Sequence, residues 1–256
     1  MSIDGFSPEE KQAFEGFSPK WASRFYGCVK HIASALKVEV EGLENLPKKR
    51  ALLVANHGFG WEAIFPMGTV FNSTGRTLWT LGEHLWWEVP FVRCLAAAVG
   101  TVDGTPENVD RLLSTEQLVL VLPGGLREAV KPAALRYRLL WGHRYGFIKA
   151  ALRNSAPVVP VALMGGDELF DFVGNPYERG RRWFGRRNLP IPLPQRILPI
   201  PHLVRFRMVF GEPLKLAGAP EQAEDPQVLQ NARYLVKGAL QELLDTELAK
   251  RAGLPI

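Results

Sequence analysis

A histidine and a glutamate five positions apart frame the run Asn56-His57-Gly58-Phe59-Gly60-Trp61-Glu62. A neutral imidazole can take a proton, and a carboxylate on its other ring nitrogen fixes the tautomer and stabilises the imidazolium that forms. The glycines between them allow a tight turn and close approach of a substrate. Taken alone, the pair reads more readily as a structural histidine at a turn. A second run, Pro123-Gly124-Gly125-Leu126-Arg127-Glu128, places two glycines where backbone amides can face a ligand. Arg127 adds a fork-shaped cation suited to carboxylate or phosphate. Its plain alternative is a turn into a helix whose positive end suits Glu128.

Other chemistries find little in the chain. Gly-x-Ser-x-Gly is approached only by Phe71-Asn72-Ser73-Thr74-Gly75 and fails there, and no glycine fingerprint for nucleotides occurs. His31, His57, His84, His143 and His202 lack ligand spacing, so no metal is expected. Cys28 and Cys94 form no metal or redox motif and point to a reduced compartment.

Both runs follow apolar stretches that look like strands buried on both faces, 51–55 and 118–122. Residues 77–81 and 157–163 repeat that signature, while 205–210 alternates charged and apolar residues like a strand nearer an edge. Helix-compatible stretches lie between them at 62–71, 83–97, 106–115 and 145–153. The alternation predicts an α/β fold, a largely parallel or mixed central sheet flanked by helices. Ligands then gather at the carboxyl ends of the strands, where both runs lie.

Before the sheet, residues 1–37 are expected to form a helical segment with an apolar stripe of Trp21, Phe25, Val29, Ile32 and Leu36. Arg24, Lys30, His31 and Lys37 lie off that stripe, so the helix suits either its own core or a membrane interface. The α/β domain is expected over 38–256. It includes an irregular excursion, 171–201, in which Pro176, Pro190, Pro192, Pro194, Pro199 and Pro201 disfavour helix and central strand. A closing helix over 227–251 takes Val228, Leu235, Leu240, Leu243 and Leu248 as its apolar face.

The 256 residues are 46% hydrophobic and 22% charged, which excludes disordered and fibrous classes. A net charge of +5 does not choose among nucleic acid, membrane surface and anionic substrate. Arg179, Arg181, Arg182, Arg186 and Arg187, interleaved with Trp183 and Phe184, suit lipid headgroups, nucleic acid or a solvated loop. No apolar stretch approaches the roughly 18–20 residues of a membrane span. The opening residues lack the pattern of a secretory signal, so an intracellular location is expected.

The ordered pair of runs resembles the glycerolipid acyltransferases, whose first block is a histidine, four residues and an aspartate. The resemblance is closer to the branch similar to diacylglycerol acyltransferases, whose third block, Pro-Gly-Gly-x-x-Glu, is matched at Pro123 to Glu128. Residues 141–147 (WGHRYGF) and 156–162 look like the approach to the fourth block, so the likeness spans roughly 38–213. Glu62 stands where the family carries aspartate. The arginine that ends the second block in the phosphate-binding branch is missing at Gly100-Thr101-Val102-Asp103-Gly104. Losing a planar cation removes bidentate bonds worth about 1.5–3 kcal/mol each, so an uncharged alcohol is favoured over a phosphorylated acceptor.

The resemblance implies transfer of a fatty acyl group from acyl-CoA or acyl carrier protein, as co-substrate, to a neutral lipid alcohol such as diacylglycerol. His57 would be the general base oriented by Glu62. Gly124, Gly125, Arg127 and Glu128 would bind substrate, and amides around Gly58 or Gly124 and Gly125 would serve the oxyanion. The apolar stretch near Val159 to Val161 could contribute to an acyl groove. No further cofactor and no nucleic-acid partner are expected, and the substrate implies peripheral contact with the inner face of a membrane. The Trp21 to Leu36 helix, Trp86-Trp87 and the arginine cluster are the candidate contacts. The alternatives are a lysophospholipid acyltransferase of 1-acylglycerol-3-phosphate type and a catalytically silent lipid-binding protein.

Overall fold

A computed structural model describes residues 16–59, 61–172, 174–184, 202 and 204–254. Gly60, Arg186, Arg187 and the prolines of the excursion from Pro190 to Pro201 lie outside the described residues, as does the side chain of Trp86.

Seven strands form one sheet in the order β1-β7-β6-β2-β5-β3-β4. They are β1 (Glu39–Glu41), β2 (Ala51–Ala55), β3 (Leu78–Gly82), β4 (Thr101–Asp103), β5 (Leu118–Val121), β6 (Val158–Met164) and β7 (Arg207–Phe210). Neighbours pair in parallel except β6 and β7, so the sheet is mixed. The strand expected near an edge, β7, is one in from it, with β1 outside.

The continuous apolar runs are explained by cover on both faces. Leu52, Val54, Val119, Val121, Val158 and Ala162 enter one core with α4 (Pro106–Ser114), α6 (Gly146–Arg153) and α8 (Pro226–Ala252). Ala51, Leu53, Ala55, Leu120, Val159 and Val161 enter the other with α1 (Pro19–Ala35) and α2 (Ile64–Thr74). Val159 and Val161 are therefore sealed in the sheet, which corrects their reading as part of an acyl groove.

Helix starts follow local chemistry. Ser18, Thr105 and Asp225 cap α1, α4 and α8, each followed by a proline whose missing amide hydrogen costs nothing there. The same rule breaks the expected helix 83–97. A 3-10 turn, His84–Glu88, ends at extended Val89, and α3 (Pro90–Ala98) begins anew at the proline. It also places a helix inside the excursion. Pro176 opens α7 (Pro176–Phe184), with the amides of Tyr177 and Glu178 bonded to Asn175 Oδ1 at 3.1 and 3.2 Å.

Two apolar faces differ from the sequence reading. In α8 the buried side is Leu229, Ala232, Val236, Leu240 and Leu244, and Leu235 is exposed. In α1 the buried side is Ala22, Tyr26 and Val29, held by the Tyr26 hydroxyl on Val99 O. Trp21, Ile32 and Leu36 of the expected stripe face outward. On α3, which touches α1 through Ser18 N to Ala98 O at 3.2 Å, Phe91, Val92 and Leu95 are exposed as well. Among the described residues no helix is long and apolar enough to cross a membrane.

Candidate active site

His57 sits two residues beyond β2, a central strand. Asn56 anchors the exit: its amide exchanges bonds of 2.8 and 2.7 Å with the backbone of Leu163 on β6. The chain then turns so that His57 Nδ1 meets Glu62 Oε1 at 2.8 Å, and the same oxygen accepts the Gly58 amide. The imidazole is 15% exposed and Glu62 is 3% exposed, so the ring is partly open to solvent and its carboxylate is shielded. Burial pushes the Glu62 carboxyl up, but the hydrogen bond and charge of His57 and the Gly58 amide outweigh it and hold it below 4.5. Glu62 lies in the 3-10 turn Trp61–Ala63 ahead of α2, and from there its side chain reaches the imidazole.

The β5 loop behaves differently from the sequence expectation. It opens the short helix α5 (Gly125–Ala129), in which Glu128 is fully buried. Glu128 Oε1 accepts the His57 amide at 2.8 Å and Oε2 accepts the Leu140 amide at 2.6 Å. A carboxylate with both oxygens engaged and no exposed surface does not contact substrate, which corrects its assignment to substrate binding. A Cβ on Gly124 would overlap the Glu128 carboxylate, so that glycine lets the side chain fold beneath the loop. Gly125 N bonds Leu122 O at 3.0 Å, and Gly58 N is committed to Glu62. These two amides are therefore engaged within the protein rather than offered to an oxyanion. Arg127 is exposed and makes no ion pair among the described residues.

Several participants were not singled out from the sequence. Lys131 Nζ donates to His57 O at 2.9 Å and pairs with Asp167 Oδ1 at 2.7 Å. Asp167 Oδ2 accepts the Tyr137 amide at 2.6 Å. Burial raises the Glu128 and Asp167 carboxyls above their ordinary values, with Lys131 opposing in both cases. Of these three carboxyls only that of Glu62 is held below its ordinary value. Asp167 was findable: it follows β6 and Gly165-Gly166, a third strand-end glycine loop. A Cβ on Gly58 would overlap the backbone of Gly166, so the β2 and β6 loops touch beside the histidine. Arg144 adds a cation at the β5 loop, donating to Pro123 O at 2.8 Å. Phe59 meets Phe170 in a tilted contact at 4.5 Å and stacks with Phe172 at 6.2 Å, forming an apolar cluster directly after His57 in the chain.

A mixed sheet covered on both faces, with a histidine–carboxylate pair at the end of a central strand, defines an α/β protein whose site could move a proton. The chain resembles the 1-acyl-sn-glycerophosphate (LPA) acyltransferase PlsC of Thermotoga maritima in fold, with a TM-score of 0.53, 17% identity, and coverage of 87% of this chain and 79% of that one. The family model described as diacylglycerol acyltransferase matches residues 9–191, and the chain belongs to that family. An uncharacterized protein of Mycobacterium tuberculosis is 31% identical over 86% of this chain and 64% of its own length. A mouse protein named DGAT1/2-independent enzyme synthesizing storage lipids is 26% identical over 81% of this chain and 59% of its own. The chain thus spans a little under two thirds of the curated relatives it matches.

Proposed function

We propose that the chain transfers a fatty acyl group from acyl-CoA or acyl carrier protein to the hydroxyl of a neutral lipid alcohol such as diacylglycerol. The observation that carries this reading is His57, whose Nδ1 is tied to a buried carboxylate while the ring keeps part of its surface exposed. The other ring nitrogen, Nε2, takes the hydroxyl proton as the oxygen attacks the thioester carbonyl. The tetrahedral centre then expels the thiolate, which recovers that proton from His57, so no acyl-enzyme is needed. Phe59, Phe170 and Phe172 would receive the acyl chain, and Arg127 and Arg144 would hold phosphates of the donor.

A membrane-borne acceptor requires docking. The outward residues Trp21, Ile32 and Leu36 of α1 and Phe91, Val92 and Leu95 of α3 supply an apolar contact, bordered by Lys20, Arg24, Lys30 and Arg93. That combination suits peripheral binding to the anionic inner face of a membrane. The two exposed arginines at the β5 loop also favour a second reading, in which they bind the phosphate of a lysophosphatidate acceptor.

Thiol release from acyl-CoA, with diacylglycerol or lysophosphatidate in vesicles, tests these readings. Release with diacylglycerol that His57→Ala abolishes supports the main proposal, and release only with lysophosphatidate supports the second. Lipid binding without release by the wild type would leave a silent binding protein.

A further inference from the structure

We infer that Glu128 and Lys131 are positioning residues that grip the two ends of the His57 backbone and so aim its imidazole. This rests on the assignment of His57 as the base. The hydrogen bonds land on the amide and the carbonyl of that one residue, at 2.8 and 2.9 Å. His57 lies just past the end of β2, where ladder pairing no longer fixes the backbone. Both gripping groups come from one turn of chain, since Lys131 N bonds Glu128 O at 3.3 Å. Each is itself anchored on its far side, Glu128 by the Leu140 amide and Lys131 by Asp167.

The arrangement gives a physical meaning to the Pro-Gly-Gly-x-x-Glu block. Its glycine at 124 makes room for the carboxylate, and the carboxylate reaches across to the block that carries the histidine. Burying a carboxylate and a lysine is costly unless each is fully paired. Here one partner of each group is the backbone of a single residue, His57. A base displaced by about 1 Å loses up to about 100-fold in rate, so gripping its backbone acts on kcat.

The test uses Glu128→Gln and the double variant Lys131→Met/Asp167→Asn, which removes the buried charge pair together and leaves neither partner uncompensated. Each is made in the wild-type and the His57→Ala chain, and the imidazole signals are followed by NMR, with His57 assigned from His57→Ala. We expect folded variants with kcat reduced about 10–100-fold, KM for donor and acceptor within about 2-fold, and a displaced His57 signal. In the His57→Ala chain the same changes should cause no further loss.

A loss that multiplies on top of His57→Ala, or one confined to KM, would mean that Glu128 or Lys131 acts on substrate and overturns the inference. So does an unmoved His57 signal in a folded variant. If His57→Ala alone leaves kcat intact, the base assignment fails. The signal then still decides the grip, because it does not depend on turnover.

Discussion

His57 and His84 each stand two residues beyond a parallel strand, and each places Nδ1 on a carboxylate, Glu62 at 2.8 Å and Asp103 at 2.9 Å. Their surroundings differ. The His57 ring is 15% exposed, whereas that of His84 is 75% exposed. Glu62 shares its oxygen between the ring and the Gly58 amide, while Asp103 Oδ1 is buried without a hydrogen-bond partner among the described residues. The His57 backbone is held at both ends, but His84 opens a surface 3-10 turn. A histidine on a carboxylate at nearly the same distance is thus a shielded, immobilised pair in one place and, in the other, a pair whose imidazole is largely in solvent. Water screens the second pair and leaves its ring free to move, so its mutual attraction is weak. Pairing alone does not make a base; burial and backbone support do.

The largest test of that contrast is removal of each ring. His57→Ala should lower kcat by about 1,000-fold, within the usual range for a general base. An assay in which His84→Ala costs as much would erase the distinction.

Next comes the carboxylate, where Glu62→Gln should cost about 100-fold in kcat by leaving the imidazolium without its counter-charge. Its pH signature is also fixed. The folded-state pKa of Glu62 lies below its ordinary 4.5, so the stabilisation from its ionised form is complete above that value and lost as pH falls through the folded value. Urea unfolding of wild type and Glu62→Gln should therefore show a stability difference that shrinks on acidification. A constant gap between about pH 3 and 7 would contradict the depressed carboxyl.

A smaller effect separates delivery from chemistry. Trp21→Glu with Phe91→Glu should weaken sedimentation with anionic vesicles about 10-fold, since two aromatic contacts with the interface are lost. Because Trp21 is 60% and Phe91 74% exposed, the melting temperature should hold. Unchanged sedimentation would remove α1 and α3 from the docking surface. The smallest expected change is that of His84→Ala, within about 2-fold in kcat, as suits a solvated surface pair.

Much of the site was legible before the fold was known. His57 and Glu62 follow an apolar run and are separated by glycines, and their pairing is a contact over five residues. Glu128 was noticed for its block but given the wrong job, because burial cannot be read from a residue in a short surface-like loop. Leu235 differs from its expected burial for a related reason: two apolar stripes on one helix differ only in which one meets a neighbour.

The chain by itself determined what neighbours along it can decide. Apolar runs mark the strands within a residue or two, and the capping residues Ser18, Thr105 and Asp225 stand directly before the prolines that open their helices. Only the tertiary structure decided which helix faces are covered, which histidine is shielded, and what holds its backbone. The two bonds that grip His57 join groups 71 and 74 positions apart. Contacts of that range leave no periodicity or spacing to read, because they arise only when separate strands deliver their loops to one edge of the sheet.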